Sequence, residues 1–555
     1  VFYNERNCKI LSEYQPEVYK GILEPPKMKF DNINVLFGKN ENDVIDTILI
    51  QKDGKMYRDD AGASTDDFVN RINPDLHTII VLGFGMGGHI EAAVKKYPDK
   101  KFIVIEPDKR VIGHALHLKD LEFVFRHCEI WTDENVQTIK SKMWAMLTHP
   151  LCRGIQVVPY ILLYDDFIMN FYAEMQNLLN DFAVMTNTKR CLVDKWYKNR
   201  IENAKRPSVN AKSLIGKFKD IPALLVGAGP SLQSQIETIK NLQGKAVIIA
   251  ASTAIQILVS NNITPTFMVA IDQDPITSGG LHENLKADVP LIFDGQVAQN
   301  SLNYKGKHFQ VVLNVNQYTK KLIPDLPVIE SGPSVGNATL DLLHKFGCSP
   351  ILIVGFDLSY TYDKLYCDGT EFNQDMSKTQ TMMLTDNKGN LCKTEPSFLS
   401  MRNWFTEYAN RVKPTVFNCT ERGLPMPGIE NKSLDDFTFD KEYDFKKMID
   451  EEYFKDGKPD YAQYDYKAEN GKMIDELKSI RDTIEKTNTA TAEQKQLFSW
   501  IMIEEFSHVM IYLEEILSEE RIRKGMDKGK SIDIFNKRRT EVLLDSIDKL
   551  IEMLS

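Results

Sequence analysis

The chain has 555 residues, is 43% hydrophobic and carries a formal net charge of −10; that is room for about three domain-sized cores and argues against a large nucleic-acid footprint. Its eight cysteines (Cys8, Cys128, Cys152, Cys191, Cys348, Cys367, Cys392, Cys419) are scattered without a CxxC, which disfavours a zinc ribbon, a thioredoxin-type pair and a disulfide framework and fits a reducing, cytoplasmic setting. The opening "VFYNERNCKILSEY" is neither a signal peptide nor, lacking Met, a complete N-terminus, and no uncharged apolar run reaches membrane-spanning length.

Residues 1 to about 75 mix polar and apolar pieces with little period. Then "HTIIVLGFGMGGHIEAAVKKYPDKKFIVIEPDKR" reads as strand, glycine turn, helix, strand. Gly83, Gly85, Gly87 and Gly88, with Glu106 some twenty positions on, outline a dinucleotide or adenosyl-methionine site in which Glu106 takes ribose hydroxyls. The alternative, slightly favoured because no partner motif for hydride or methyl transfer follows, is an inherited fold that binds nothing. Residues 1–132 are taken as one Rossmann-like domain and 133–215 as a largely helical linker region. Within the linker, "GIQVVPYILLYDDFIMNFY" is broken by Pro159 and two aspartates and reads as a buried strand and helix.

From 216 to 430 short apolar runs recur: "ALLV", "AVIIA", "TFMVAI", "PLIF", "FQVVL", "ILIV". Helical patterns between them predict a second α/β domain with a mostly parallel sheet. Its first strand runs into "GAGPSL", a turn suited to an anion: Gly227 and Gly229 for positive φ and close approach, Pro230 for the first helical turn, Ser231 for a cap or a phosphate contact. The alternative is a tight connection without ligand. Residues 431–555 are charged and periodic, with "LFSWIMIEEFSHVMIYLEEIL" and "VLLDSIDKLIEML" apolar at helical spacing, so a C-terminal helical bundle is expected. The fold class is therefore α/β, with two Rossmann-like parallel-sheet domains plus that bundle.

Four blocks in order, "VGAGPSL" at 226–232, "AASTAIQIL" at 250–258, "ITPTFMVAIDQDP" at 263–275 and "GPSVGNATLDLLHKFGCSPILIVGFDLSY" at 332–360, resemble the motility accessory factor (Maf) flagellin glycosyltransferases and the wider group holding the archaeal hydroxymethylpterin pyrophosphokinases. The three-part layout also looks like that family. The resemblance implies transfer of a nonulosonic acid, of pseudaminic or legionaminic type, from a CMP-sugar to Ser or Thr of flagellin, as needed for flagellum assembly. The central domain is also similar to bacterial CMP-sialic acid sialyltransferases, in which a Gly-Asn-Gly-Pro-Ser-Leu turn holds the nucleotide. Gly227, Gly229, Pro230 and Ser231 match that turn, and Ala228 replaces its asparagine.

By the same resemblance Ser334, Gly336 and Asn337 lie near the donor phosphate or carboxylate. Asp357 belongs to the Gly-x-Asp block, and Tyr360 and Tyr362 are the nearest equivalents of tyrosines supporting the leaving phosphate. Ser252, Thr253 and Gln296, at strand ends, are expected at the nucleoside, or else to satisfy backbone groups. Sialyltransferases of this type use a histidine base downstream of that block, but none occurs here between His344 and His508. Asp272, Asp274, Asp357 and Asp368 remain the carboxylates open to that role. Asp272-Gln273-Asp274 has the spacing of a divalent-metal site, with contacts to nucleotide or sugar as the favoured use of Asp272. No cofactor is otherwise implied, and the partners expected are flagellin and the CMP-sugar, with neither nucleic acid nor membrane. Two other functions stay open: a pyrophosphokinase using ATP and magnesium on a pterin-like alcohol, and a non-catalytic flagellin-binding chaperone.

Overall fold

The computed structural model describes residues 4–24, 33–39, 45–52, 55–60, 65–132, 136–147, 155–160, 165–251, 253–273, 285–370, 382–497, 499–500, 502–503 and 528–555. The chain divides into two compact units, Val1–Phe182 and Ala183–Ser555.

In the first unit, the stretch that showed little period holds helices Asn4–Tyr14 and Pro16–Leu23 and an antiparallel meander of β1 (Ile33–Lys39), β2 (Ile45–Lys52) and β3 (Lys55–Asp60). The strands were hard to read because β1 buries only part of each face, so its hydrophobic alternation is weak. A parallel sheet follows, with β4 (Thr78–Leu82), β5 (Lys101–Glu106), β6 (Cys128–Thr132) and β7 (Ile155–Pro159) in the order β6-β5-β4-β7. Its central strand "TIIVL" is buried throughout, as a strand covered on both faces must be.

The second unit begins inside the helix Asp165–Asn203. Val193, Tyr197, Ile201 and Ala204 join one core with Tyr318, Leu322, Leu477, Ile480 and Ile547, so this part of the expected linker packs as part of the unit. Its strands are β8 (Val209–Asn210), β9 (Ala223–Val226), β10 (Val247–Ala251), β11 (Phe267–Ala270), β12 (Leu291–Asp294), β13 (His308–Leu313), β14 (Val328–Ile329), β15 (Ile351–Val354), the hairpin β16 (Met382–Thr385) and β17 (Leu391–Thr394), β18 (Val416–Asn418) and β19 (Glu430–Asn431). Among the described residues one parallel sheet has the order β14-β13-β12-β11-β10-β9-β15-β18-β19, with β8 beside β13.

Side chains alternate across this sheet. Leu225, Ile249, Val269 and Ile353 enter the core that holds helices Val335–Lys345 and Pro396–Val412. Leu224, Ile248, Met268 and Leu352 enter the core on the other face, with Ile239, Ile255 and Leu258. In the tail, Met473, Leu477, Ile480 and Ile484 lie on one face of helix Tyr466–Thr487 and pack with Leu550 and Leu554 of helix Lys528–Leu554. His508 and most of "LFSWIMIEEFSHVMIYLEEIL" lie outside the described residues. Among the described residues no helix is long and apolar enough to cross a membrane, and Cys128, Cys191, Cys348, Cys367, Cys392 and Cys419 are free thiols.

Candidate functional site

The order of the large sheet places a switch point between β9 and β15. From β9 the strands step one way to β14; the chain then returns to the other side of β9. Ligands of open parallel sheets bind beyond the carboxyl ends of strands at such a point. Gly227–Ser231 leaves β9 there and Gly355–Leu358 leaves β15.

The two turns are tied to each other. The amide of Gly227 donates to Val354 O and that of Gly229 to Gly355 O, both at 2.8 Å. A Cβ on Gly227 would lie 2.6 Å from Gly355 O and 2.9 Å from the Phe356 ring; one on Gly229 would meet the Asp357 carboxylate and lie 2.7 Å from Gly355 O. Gly336, in the first turn of helix Val335–Lys345, faces the same Phe356 ring. The glycines thus permit close approach between protein segments, whereas the sequence suggested approach to a phosphate. Neither is in the left-handed region: Gly229 has φ −60°, and positive φ occurs instead at Gly355, at 68°.

Pro230 opens a 3-10 helix, Pro230–Gln235, as its N1 residue. Ser231 follows and is buried; its amide donates to Asp357 Oδ2 at 3.0 Å and its hydroxyl to Oδ1 at 2.6 Å. Both oxygens of Asp357 are therefore engaged within the fold. Burial pushes its carboxyl up to about 6, against the hydrogen bonds from Ser231 and Thr361 that favour the charged form. The stabilisation attached to protonated Asp357 is complete below the ordinary value of 3.8 and is lost as pH rises through about 6. Between pH 4 and pH 6 the wild type should lose on the order of 2–3 kcal/mol more stability than Asp357→Asn; parallel denaturation profiles would remove Asp357 as the source.

Polar groups gather around these turns. Cys367 N donates to Ala228 O at 2.8 Å, which holds the chain next to Tyr366 against the glycine turn. Burial first, then the charges of Asp272 and Glu395, raise the pKa of the Tyr366 phenol, and the nearby hydroxyl of Thr253, the residue before helix Ala254–Ser260, lowers it. Asp272 follows β11, and its carbonyl accepts from Ala298 N at 2.9 Å. Gln273 Oε1 accepts from Trp196 Nε1 at 2.8 Å.

Tyr360 is buried, and its hydroxyl donates to Glu395 Oε2 at 2.5 Å. Tyr362 differs: it is exposed, has φ 58°, and its ring lies 5.4 Å from the guanidinium of Arg422, itself paired with Asp386 at 2.7 Å. The two tyrosines therefore face different partners.

Ser334 caps helix Val335–Lys345, accepting from Asn337 N at 3.3 Å and donating to Asn337 Oδ1 at 2.8 Å, while Asn337 Nδ2 donates to Met401 O. Gln296 is turned inward: its Oε1 accepts from Arg200 at 2.9 Å and its Nε2 donates to Ile271 O at 3.2 Å. Here the structure corrects the expectation of a nucleoside contact, because the side-chain amide is occupied by a buried network. Asp368 is an exposed ion-pair partner of Lys364 at 2.7 Å. Ser252 and Asp274 lie outside the described residues. Among those described, no group of three or more His, Cys, Asp or Glu side chains is arranged to hold a metal.

Sequence reasoning did not single out Glu395, Tyr366 or Arg200. The signals were slight: Pro396 after Glu395 marks a helix start, and Tyr366 ends the tyrosine-rich "SYTYDKLY". A cavity of about 200 Å³ lined by Thr264, Thr266, Pro290, Lys307, Phe445 and Ile449 opens at the opposite, amino-terminal edge of the sheet and has no part in this cluster.

In the first unit, Glu106 is buried and accepts from Phe84 N at 2.8 Å and Asp108 N at 3.0 Å, and Asp59 accepts from Met86 N at 2.6 Å and from the Tyr160 hydroxyl at 2.8 Å. The chain's own carboxylates hold these amides, and Glu106 is not presented to a ribose. His89, at the start of the following helix, stacks on Tyr160 at 3.4 Å, and burial lowers it to about 3.

Comparison with known proteins agrees with the architecture. Residues 195–363 match the family model described as 6-hydroxymethylpterin diphosphokinase MptE-like. The structure of a Maf glycosyltransferase from Magnetospirillum magneticum AMB-1 is similar at 16% sequence identity and a TM-score of 0.59, covering 100% of this chain and 95% of that one. No curated protein matches the sequence. The resemblance read from the four blocks is met by both findings, and the fold is that of two parallel-sheet units with a helical tail.

Proposed function

We propose that the chain is a glycosyltransferase that moves a nonulosonic acid from a CMP-sugar to Ser or Thr of a flagellin, at the carboxyl ends of β9, β10, β11 and β15. The observation that carries the reading is the extent of the fold likeness to a Maf glycosyltransferase, which runs through both units and the tail. The chemistry of the edge supports it. The hydroxyls of Thr253 and Tyr366 stand near each other as neutral groups suited to a nucleoside, and Asp272 follows the end of the next strand. The transition state builds positive charge on a sugar that already carries a carboxylate, so the protein's work is to orient the acceptor and ease the departure of CMP.

The match of residues 195–363 favours a second reading, diphosphate transfer from ATP to a pterin-like alcohol. That reaction needs a divalent ion and makes Asp272 and Asp274 central. Calorimetry of the full chain with CMP and with ATP, each with and without magnesium, separates the two. The expected result is CMP binding that does not require magnesium and weakens about tenfold in Thr253→Ala, the worth of one hydrogen bond. Magnesium-dependent ATP binding without CMP binding overturns the first reading, and flagellin binding with neither nucleotide points to a chaperone.

A further inference from the structure

We propose that Glu395 is the general base that takes the proton of the acceptor hydroxyl, with Tyr360 as the residue that positions it; this rests on the glycosyltransferase reading above. A Ser or Thr hydroxyl is a weak nucleophile, and a positioned base assists it by about 10²–10⁴-fold. No histidine occurs between His344 and His508. Asp357 is closed off inside the fold at 2% exposure, and Asp368 is the exposed ion-pair partner of Lys364.

Glu395 is differently placed. It is half-buried and precedes the 17-residue helix Pro396–Val412. The end of β17 is fastened to the segment leaving β15: Tyr360 N donates to Lys393 O at 2.8 Å, and the Thr394 hydroxyl to Leu358 O at 2.9 Å. This brings the carboxylate to the switch point. The hydroxyl of Tyr360 donates to Oε2 and that of Ser397 to Oε1. One donor on each oxygen sets the plane of the carboxylate, and each oxygen keeps a second lone pair. Tyr366 lies within electrostatic reach of Thr253, Glu395 and Asp272. An oriented carboxylate thus stands at the segment leaving β15, within electrostatic reach of Tyr366.

In the step, the acceptor oxygen bonds to the anomeric carbon of the sugar. Its proton passes to Glu395, the bond from that carbon to the phosphate oxygen breaks, and the electron pair leaves with CMP. Tyr360 keeps its proton and holds the carboxylate.

The test uses the full chain with CMP-pseudaminic acid and flagellin, followed by mass spectrometry of the flagellin, with CMP affinity measured in parallel. Glu395→Gln is expected to lower kcat about 100-fold or more while the CMP Kd stays within about threefold. Tyr360→Phe is expected to lower kcat about tenfold at unchanged KM, and Glu395→Asp to recover part of the loss. Wild-type transfer by Glu395→Gln overturns the assignment and leaves the glycosyltransferase reading intact. A wild-type chain that neither binds CMP nor modifies flagellin overturns both. Loss of CMP binding together with transfer in Glu395→Gln gives the residue a structural or binding role and overturns the assignment.

Discussion

Gly229→Ala is expected to destabilise the unit Ala183–Ser555 by roughly 3 kcal/mol or more, because the added methyl has nowhere to go. It would meet the Asp357 carboxylate on one side and lie 2.7 Å from the backbone oxygen of Gly355 on the other. The first could rotate only by breaking its bonds to Ser231; the second belongs to the chain leaving β15 and accepts the amide of Gly229 itself. Gly227→Ala should behave alike, since its Cβ would lie 2.6 Å from the same oxygen. Gly471, inside helix Tyr466–Thr487 with nothing within 4 Å of an added Cβ, is the internal control; alanine there should stabilise by about 0.5–1 kcal/mol through helix propensity. Denaturant unfolding measures all three. A loss below about 1 kcal/mol at Gly229 would mean that the two turns are not packed as described.

Arg200→Met is expected to cost about 3–5 kcal/mol, the usual consequence of removing one member of a buried charged network. Arg200 is fully buried, donates to Gln296 Oε1 at 2.9 Å, and lies 5.1 Å from the Tyr197 ring centroid. Its charge also acts on Asp294, whose carboxyl is pushed up by burial and drawn back by Arg200 and by hydrogen bonds from Leu313, Gln296 and Asn316. Without the guanidinium, Asp294 keeps its desolvation and loses the nearby positive charge. Asp294→Asn in the Arg200→Met background should therefore cost less than it does in the wild type. Additive losses in the double-mutant cycle would show that the two residues do not communicate.

The same buried network shows why the inward turn of Gln296 is not legible in the amino-acid order. A glutamine after a parallel strand sits where ligands bind, and sequence cannot tell which way its amide points. The helix that supplies Arg200 lies about a hundred residues earlier in the chain, in a region expected to be a linker. The glycine turn follows the same logic. Small residues at a strand end report that something approaches closely, and only the neighbouring strand reveals that the visitor is Phe356 and Asp357.

The parallel α/β architecture, the helical tail and the strand ends at which Thr253, Asp272 and Asp357 stand are legible in the amino-acid order. Those features follow from local periodicity and glycine placement, which neighbouring residues carry. That Ser231 serves Asp357, that Tyr360 and Tyr362 part company, and that Glu395 meets Tyr360 emerge only in the folded chain. Each of those outcomes depends on which strand lies beside which. The pairing of β9 with β15 joins segments more than a hundred residues apart, and no local pattern encodes the direction in which a side chain then points.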